Sequence, residues 1–242
     1  MEDPAGFERG RDGADEWLIR SDLRDLVRPQ LDRWLGAETP ASGVTMEGGR
    51  GGAFRVTLSG IVAVVRPYRR GGLPGRFVRE TYLSLARSPR PFQELRVTAD
   101  LRVRGVSVPE PFAAAVRWRG CGRYRGVFAS AWIDGSMSLW ELLRQRPAGG
   151  VRLAALRASA GVIARLHRVG AAHPDLNLNN ILVRESAAWL IDFDHGRLRA
   201  TPDAQRRSLA RLRRSARKLD PSGAIVTDAD LAVLCRASNA EP

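Results

Sequence analysis

Asp175 and Asn180 stand five positions apart in the run His173-Pro174-Asp175-Leu176-Asn177-Leu178-Asn179-Asn180-Ile181-Leu182-Val183. A carboxylate followed after five positions by a carboxamide, and then by a branched apolar run, is the pattern of a phosphoryl-transfer loop. The carboxylate aims at an acceptor hydroxyl and takes its proton. The carboxamide oxygen faces a metal ion, and the apolar strand that follows anchors the loop. Asp192, in Leu190-Ile191-Asp192-Phe193-Asp194, comes 17 positions after Asp175, where such enzymes carry a second magnesium-binding residue. Asp194 stands where glycine is usual. Alone, an Asp-Phe-Asp is more often a surface turn and a single Asn more often a cap. Together, in this order and at this spacing, they point to phosphoryl transfer from ATP, with Asp175 as base and Asn180 and Asp192 as Mg²⁺ ligands.

Upstream lies Glu47-Gly48-Gly49-Arg50-Gly51-Gly52, between two strand-like runs. Glycine pairs are common in hairpin turns. Its position ahead of the loop motifs suits a segment covering the phosphates, so Gly48, Gly49, Arg50, Gly51 and Gly52 are candidate nucleotide contacts. Kinases place a lysine at the end of the third strand. The matching segment here is Val62-Ala63-Val64-Val65-Arg66-Pro67-Tyr68, and Lys218 is the only lysine in the chain. Arg66 is therefore the candidate phosphate contact and Glu94 its expected partner. Arg69 and Arg70 are alternatives, and impaired catalysis is another. An arginine forks onto phosphate where lysine is a point charge.

These residues need elements to hold them. Residues 1–15 read as a flexible tail. Trp17–Leu35 has near-helical apolar spacing and predicts one or two short helices broken near Pro29. Strands are expected on both sides of the glycine segment, over Ile61–Tyr68, over Ala113–Trp118 and over Tyr124–Ile133. Phe77–Ala86 suits a short helix, and Pro91–Arg104 a longer one carrying Glu94. Helices are expected from Leu139, over Val151–Val169 and over 203–219. The pattern predicts an α+β, two-lobed protein-kinase-like fold. Its N-lobe, residues 16–132, has a five-stranded antiparallel sheet and one helix; its C-lobe, residues 133–242, is mainly helical.

The chain has 242 residues, 44% hydrophobic and 27% charged, enough for a substantial core. Its net charge of +13 directs it toward phosphorylated substrates, anionic lipid headgroups or nucleic acid. Cys121 and Cys235 form no CxxC pattern, so neither a zinc knuckle nor a disulfide framework is implied. The first residues lack the apolar core of a signal peptide, and no stretch is long enough to span a bilayer. His167 reads as a packed or capping residue and His173 as a brace for the loop, while His195 faces either substrate or solvent. Gln205–Lys218 interleaves Arg206, Arg207, Arg211, Arg213, Arg214 and Arg217 with Leu209 and Leu212; with Leu219 just beyond, this suits an anionic membrane surface or simply a solvated helix face. Only 50 residues follow Asp192, which favours a small or glycolipid acceptor over a protein.

Taken together, Gly49-Arg50-Gly51, Arg66-Pro67-Tyr68-Arg69-Arg70-Gly71-Gly72, Arg90-Pro91-Phe92-Gln93-Glu94, Val108-Pro109-Glu110-Pro111, Leu166-His167, the His173–Leu182 loop and Ile191-Asp192-Phe193-Asp194-His195-Gly196-Arg197 resemble the 3-deoxy-D-manno-octulosonic acid (Kdo) kinases, a lipopolysaccharide-core kinase family. The Arg-Pro-Tyr-Arg-Arg-Gly-Gly run matters most, and Asn177 also looks like this family. Pro174 and His195 depart from it. The resemblance covers about residues 44–219. It implies ATP-dependent phosphorylation of the 4-hydroxyl of Kdo on a lipid A precursor. It also implies a peripheral protein on the cytoplasmic face of the bacterial inner membrane, with a Kdo-bearing glycolipid and the anionic membrane as partners and no nucleic acid. Two other readings stand beside it. One is a kinase of heptose, an aminoglycoside or another small molecule. The other is a non-catalytic pseudokinase that binds anionic lipid or nucleic acid.

Overall fold

The computed structural model describes residues 2–36, 44–45, 52–68, 82–83, 88–119 and 123–236. These fall into two compact units, residues 1–99 with 110–132 and residues 100–109 with 133–242. In chain order the elements are β1 (Phe7–Asp12), β2 (Asp15–Arg20), α1 (Arg24–Val27), α2 (Leu31–Leu35), β3 (Val44–Thr45), β4 (Phe54–Leu58), β5 (Ile61–Pro67), β6 (Tyr82–Leu83), α3 (Arg90–Val103), β7 (Pro111–Trp118) and β8 (Arg123–Ala131). They continue with β9 (Met137–Ser138), α4 (Leu139–Arg144), α5 (Gly149–Arg168), β10 (Ile181–Arg184), β11 (Ala187–Leu190), α6 (Pro202–Leu219) and α7 (Asp228–Arg236).

The first unit is built on an antiparallel sheet ordered β1-β2-β7-β8-β5-β4-β3, with β6 also on β8. Residue alternation divides it into two cores. Trp17, Ile19, Ala113, Ala115, Val127 and Ala129 pack on one face with Val27, Leu31 and Trp34 of the N-terminal helical segment. Leu18, Ala114, Val116 and Phe128 pack on the other with Phe92 and Leu95 of α3. The β4–β5 hairpin closes on Ser59-Gly60, both at positive φ (47° and 86°), with Leu58 opposite Ile61. That is the two-residue turn whose twist matches the strands, and glycine adopts its second position without a Cβ penalty.

Four expectations are corrected here. The sheet has eight strands among the described residues, not five, though β3 and β6 are only two residues long. The expected tail contains β1, an edge strand of sequence Phe-Glu-Arg-Gly-Arg-Asp whose charge hid it. Trp17 lies in β2 rather than in a helix. A strand buried on both faces is continuously apolar, and its periodicity does not distinguish it from a buried helix. Tyr82–Leu83, expected as helix, is strand paired with β8. The break near Pro29 is a 3₁₀ turn at Arg28–Gln30 with proline in its first turn.

The second unit holds the helices α4 to α7 and a small sheet ordered β11-β10-β9. In α5, Ala155, Leu156, Ser159, Ala160, Val162, Ile163 and Leu166 are buried at helical spacing. Helix α6 begins with Thr201 as cap, its side chain accepting from the Ala204 N–H, and Pro202 in the first turn. Helix α7 was not anticipated. No described helix is long and apolar enough to cross a membrane.

Candidate active site

In the first unit, Arg66 leaves β5 on the same side as Tyr68, two positions on. Both side chains meet Glu94 of α3: the Arg66 guanidinium forms an ion pair with it and the Tyr68 hydroxyl donates to the same carboxylate oxygen. The Arg66 guanidinium also lies 5.0 Å from the centre of the Tyr68 ring. Glu94 is 1% exposed. A buried carboxylate is tolerated only when paired and hydrogen-bonded, and removing one partner typically costs about 3–5 kcal/mol. The expected Arg66–Glu94 pair is thus present. Tyr68 was missed as a member of it, although the two-residue spacing puts it on the same face as Arg66. Of the glycine segment, Gly52 is described, at φ +68° ahead of β4. Gly48, Gly49, Arg50 and Gly51 lie outside the described residues, as do Arg69 and Arg70.

The second unit assembles Asp175, Asn180 and Asp192. Two carboxamides hold the loop from within: Asn177 Nδ2 and Asn180 Nδ2 both donate to the Asp175 carbonyl, at 2.8 and 3.0 Å. Asn177 Oδ1 accepts from the Asn179 N–H at 2.9 Å and caps the short 3₁₀ turn Leu178–Asn180. With the Asn180 nitrogen committed to backbone, its oxygen is the end left for a cation. The Asn180 carbonyl then accepts from the Ile191 N–H at 3.0 Å, so the two candidate ligand segments are tied side by side.

His173 makes the second tie. Its Nε2 lies 2.9 Å from the Ile191 carbonyl, and its ring packs on Phe193 with centroids 4.6 Å apart. The ring is 1% exposed. Burial pushes its pKa down, against the Ile191 hydrogen bond and the charges of Asp192 and Asp175, which push it up. A neutral imidazole facing a carbonyl must carry its proton on Nε2, so His173 is a structural donor, as a brace should be. Asp192 itself sits at φ +68°, in the left-handed region. For a non-glycine residue this costs on the order of 1–3 kcal/mol and is commonest at functional sites.

His167 is packed at the end of α5, and burial pushes its pKa down to about 4. His195 is exposed, its Nε2 3.6 Å from Asp194 Oδ2. One contact was not foreseen: Arg211 of α6 lies 2.7 Å from Asp175 Oδ1. The sequence marked Arg211 only as one arginine among many, and no local pattern links it to Asp175.

Asn180 and Asp192 together offer oxygen donors, the chemistry a hard divalent cation requires. No cluster of three His, Cys, Asp or Glu capable of holding a metal exists among the described residues. Two protein ligands suit Mg²⁺, which keeps waters and takes substrate phosphates for the rest.

Residues 38–237 match the profile of the lipopolysaccharide kinase (Kdo/WaaP) family. A 3-deoxy-D-manno-octulosonic acid kinase of Xanthomonas campestris pv. campestris (strain B100) is 40% identical over 208 residues, 85% of this chain and 79% of that protein. One from Vibrio vulnificus (strain YJ016) is 35% identical over 206 residues, 84% and 83% of the two chains. A solved structure of WaaP in complex with acyl carrier protein superposes with a TM-score of 0.55 over 88% of this chain and 87% of its own, at 18% identity, and shares the α+β fold. The chain belongs to the lipopolysaccharide kinase (Kdo/WaaP) family, and it is a phosphotransferase.

Proposed function

We propose that the protein transfers the γ-phosphoryl group of ATP to the 4-hydroxyl of a Kdo residue on a lipid A precursor. The observation that carries this reading is the loop in which Asn177 and Asn180 both fix the Asp175 carbonyl, leaving the Asp175 carboxylate half exposed. A base aimed outward from a braced loop suits an acceptor that arrives from solvent. The similarity to kinases of that acceptor supports the choice of sugar.

In the proposed reaction the acceptor oxygen attacks the γ-phosphorus, the bond to the β–γ bridging oxygen breaks, and ADP leaves. Asp175 orients the hydroxyl and takes its proton. Asn180 Oδ1 and the Asp192 carboxylate would hold Mg²⁺, which when bound neutralises charge on the phosphate oxygens. Arg66, steadied by Glu94 and Tyr68, takes the phosphate-binding role of the absent strand lysine, and the Gly48–Gly52 segment covers the phosphates. Positioning and electrostatics supply the rate, as phosphoryl transfer requires little else of the protein.

The proposed setting is the anionic cytoplasmic face of the inner membrane. Support comes from α6, where Arg206, Arg207, Arg213, Arg214 and Lys218 are exposed while Leu212 is fully buried in the protein. With Leu212 and the other core-facing positions used inside the unit, attachment through this helix would be electrostatic rather than insertive.

The test is ATP consumption with Mg²⁺ on a Kdo-bearing lipid A precursor and on the same lipid lacking Kdo. Turnover is expected only with Kdo present. Asp175→Asn should lower kcat at least about 100-fold, the usual contribution of a general base. An unchanged rate would remove Asp175 from the mechanism. Turnover on both lipids would redirect the acceptor, and ATP binding without turnover would favour a pseudokinase.

A further inference from the structure

We propose that Arg211 binds the carboxylate of an acidic sugar acceptor beside Asp175, and so selects that class of acceptor over neutral sugars. This rests on the acceptor reading above and deepens it by naming the group recognised.

Helix α6 is fixed against the catalytic loop. Ser208 Oγ donates to the His173 carbonyl at 2.8 Å, and Gln205 Nε2 donates to the His167 carbonyl at 2.7 Å. Ala204, Ser208, Leu212 and Ala216 form its buried stripe, one turn apart. Arg211 lies at the edge of that stripe, so the register that seats Ser208 also brings the Arg211 guanidinium to Asp175.

Two other arginines of the helix have acidic partners away from the loop: Arg206 pairs with Asp203, and Arg217 with Asp228. Arg211 meets the proposed base and, among the described residues, no other carboxylate. The two side chains are 39% and 50% exposed, and an ion pair that open adds little to stability. Stability therefore does not explain a cation at this point. The arrangement also obstructs the proposed base, because a guanidinium paired with Oδ1 at 2.7 Å competes with the acceptor hydroxyl.

An acidic acceptor resolves that conflict. Asp175 engages one terminal nitrogen of Arg211, and the fork has further N–H donors that suit a second carboxylate. A sugar carboxylate binding there draws the guanidinium toward itself and frees Asp175 for the hydroxyl. Without Arg211 the same carboxylate would bring a second negative charge against Asp175 and the nucleotide phosphates. A neutral sugar gains nothing from the guanidinium and leaves it on the base. The contact forms on binding and persists through transfer, so its loss should appear mainly in KM.

The experiment compares the full-length wild type with Arg211→Gln and Arg211→Lys. Acceptors are the Kdo-bearing lipid and its carboxyl methyl ester, and KM for ATP reports that each variant is folded. The wild type should favour the acid over the ester by at least about tenfold in kcat/KM, the worth of one charge-assisted pair. Arg211→Gln should bring that ratio to near one through KM for the acid, and Arg211→Lys should fall between. An unchanged ratio in Arg211→Gln, or an equal fall for both acceptors, overturns the proposal. Binding of free Kdo and of its methyl ester to the ADP-loaded protein, followed by calorimetry, reads the same preference without turnover. Selective binding of the acid that Arg211→Gln abolishes supports the clamp even if the Kdo lipid is not phosphorylated, in which case the proposed acceptor fails instead. Wild-type protein that does not prefer the acid overturns the clamp.

Discussion

At the scale of single residues, the site depends on side chains whose protonation is fixed by burial. His173 and His167 are both held neutral, and each has a folded pKa below its ordinary value. For such a group the unfolded chain takes up a proton that the native state refuses. Native stability should therefore be lost as pH falls from about 6.5 toward about 4, the interval given by His167. The His167 contribution is at most about 3 kcal/mol over that window. Denaturant unfolding at pH 7 and pH 5 checks this: the wild type should lose stability at the lower pH, and His167→Gln should show a smaller loss, with His173 providing the remainder. Equal losses would assign the pH dependence elsewhere. The Arg66–Glu94–Tyr68 cluster joins a strand and a helix through one buried carboxylate. That carboxylate is oriented by a guanidinium and a hydroxyl, which also limits how freely Arg66 moves.

At the scale of elements, the edge strand β1 shows packing overriding composition. Gly10 lies opposite Trp17 in the β1–β2 register, and a Cβ on Gly10 would fall 2.0 Å from the Trp17 ring. The indole thus covers a position where no side chain fits, and that contact seats a strand otherwise made of charges. Gly10→Val should displace Trp17 from the first core and lower stability by about 1–3 kcal/mol, within the range for overpacked sites. Thermal unfolding measures it, and an unaltered melting temperature would mean that β1 contributes no packing. Helix α6 makes the complementary point. Leu212, the central leucine of its amphipathic pattern, faces its own unit, and the side that buries it also seats Ser208 on the loop that begins at His173.

At the scale of the whole molecule, the net charge of +13 favours anionic surfaces. Because the exposed face of α6 is cationic rather than apolar, binding to vesicles should follow lipid charge and be screened by salt. Sedimentation with vesicles containing 30% anionic lipid should retain the protein at about 50 mM salt and release most of it by about 500 mM, with no binding to neutral vesicles. Binding that survives high salt would indicate apolar insertion instead.

How much of this was legible in the sequence depends on the range of the interaction. The Asp175–Asn180 spacing, the Asp192 segment, the helix carrying Glu94 and the strand carrying Arg66 are local features, fixed by a few neighbouring positions and by the period of their element. So were the family and the chemistry, because a phosphoryl-transfer loop constrains residue types at short spacing. The edge strands β1 and β6 escaped because strand pairing is satisfied by distant backbone, and a charged or two-residue strand carries almost no signal of its own. Tyr68 joining Glu94, His173 joining Ile191 and Arg211 meeting Asp175 were decided only by tertiary structure. Each pairs groups far apart in the chain, and only the burial of a shared core brings their polar ends within hydrogen-bonding distance.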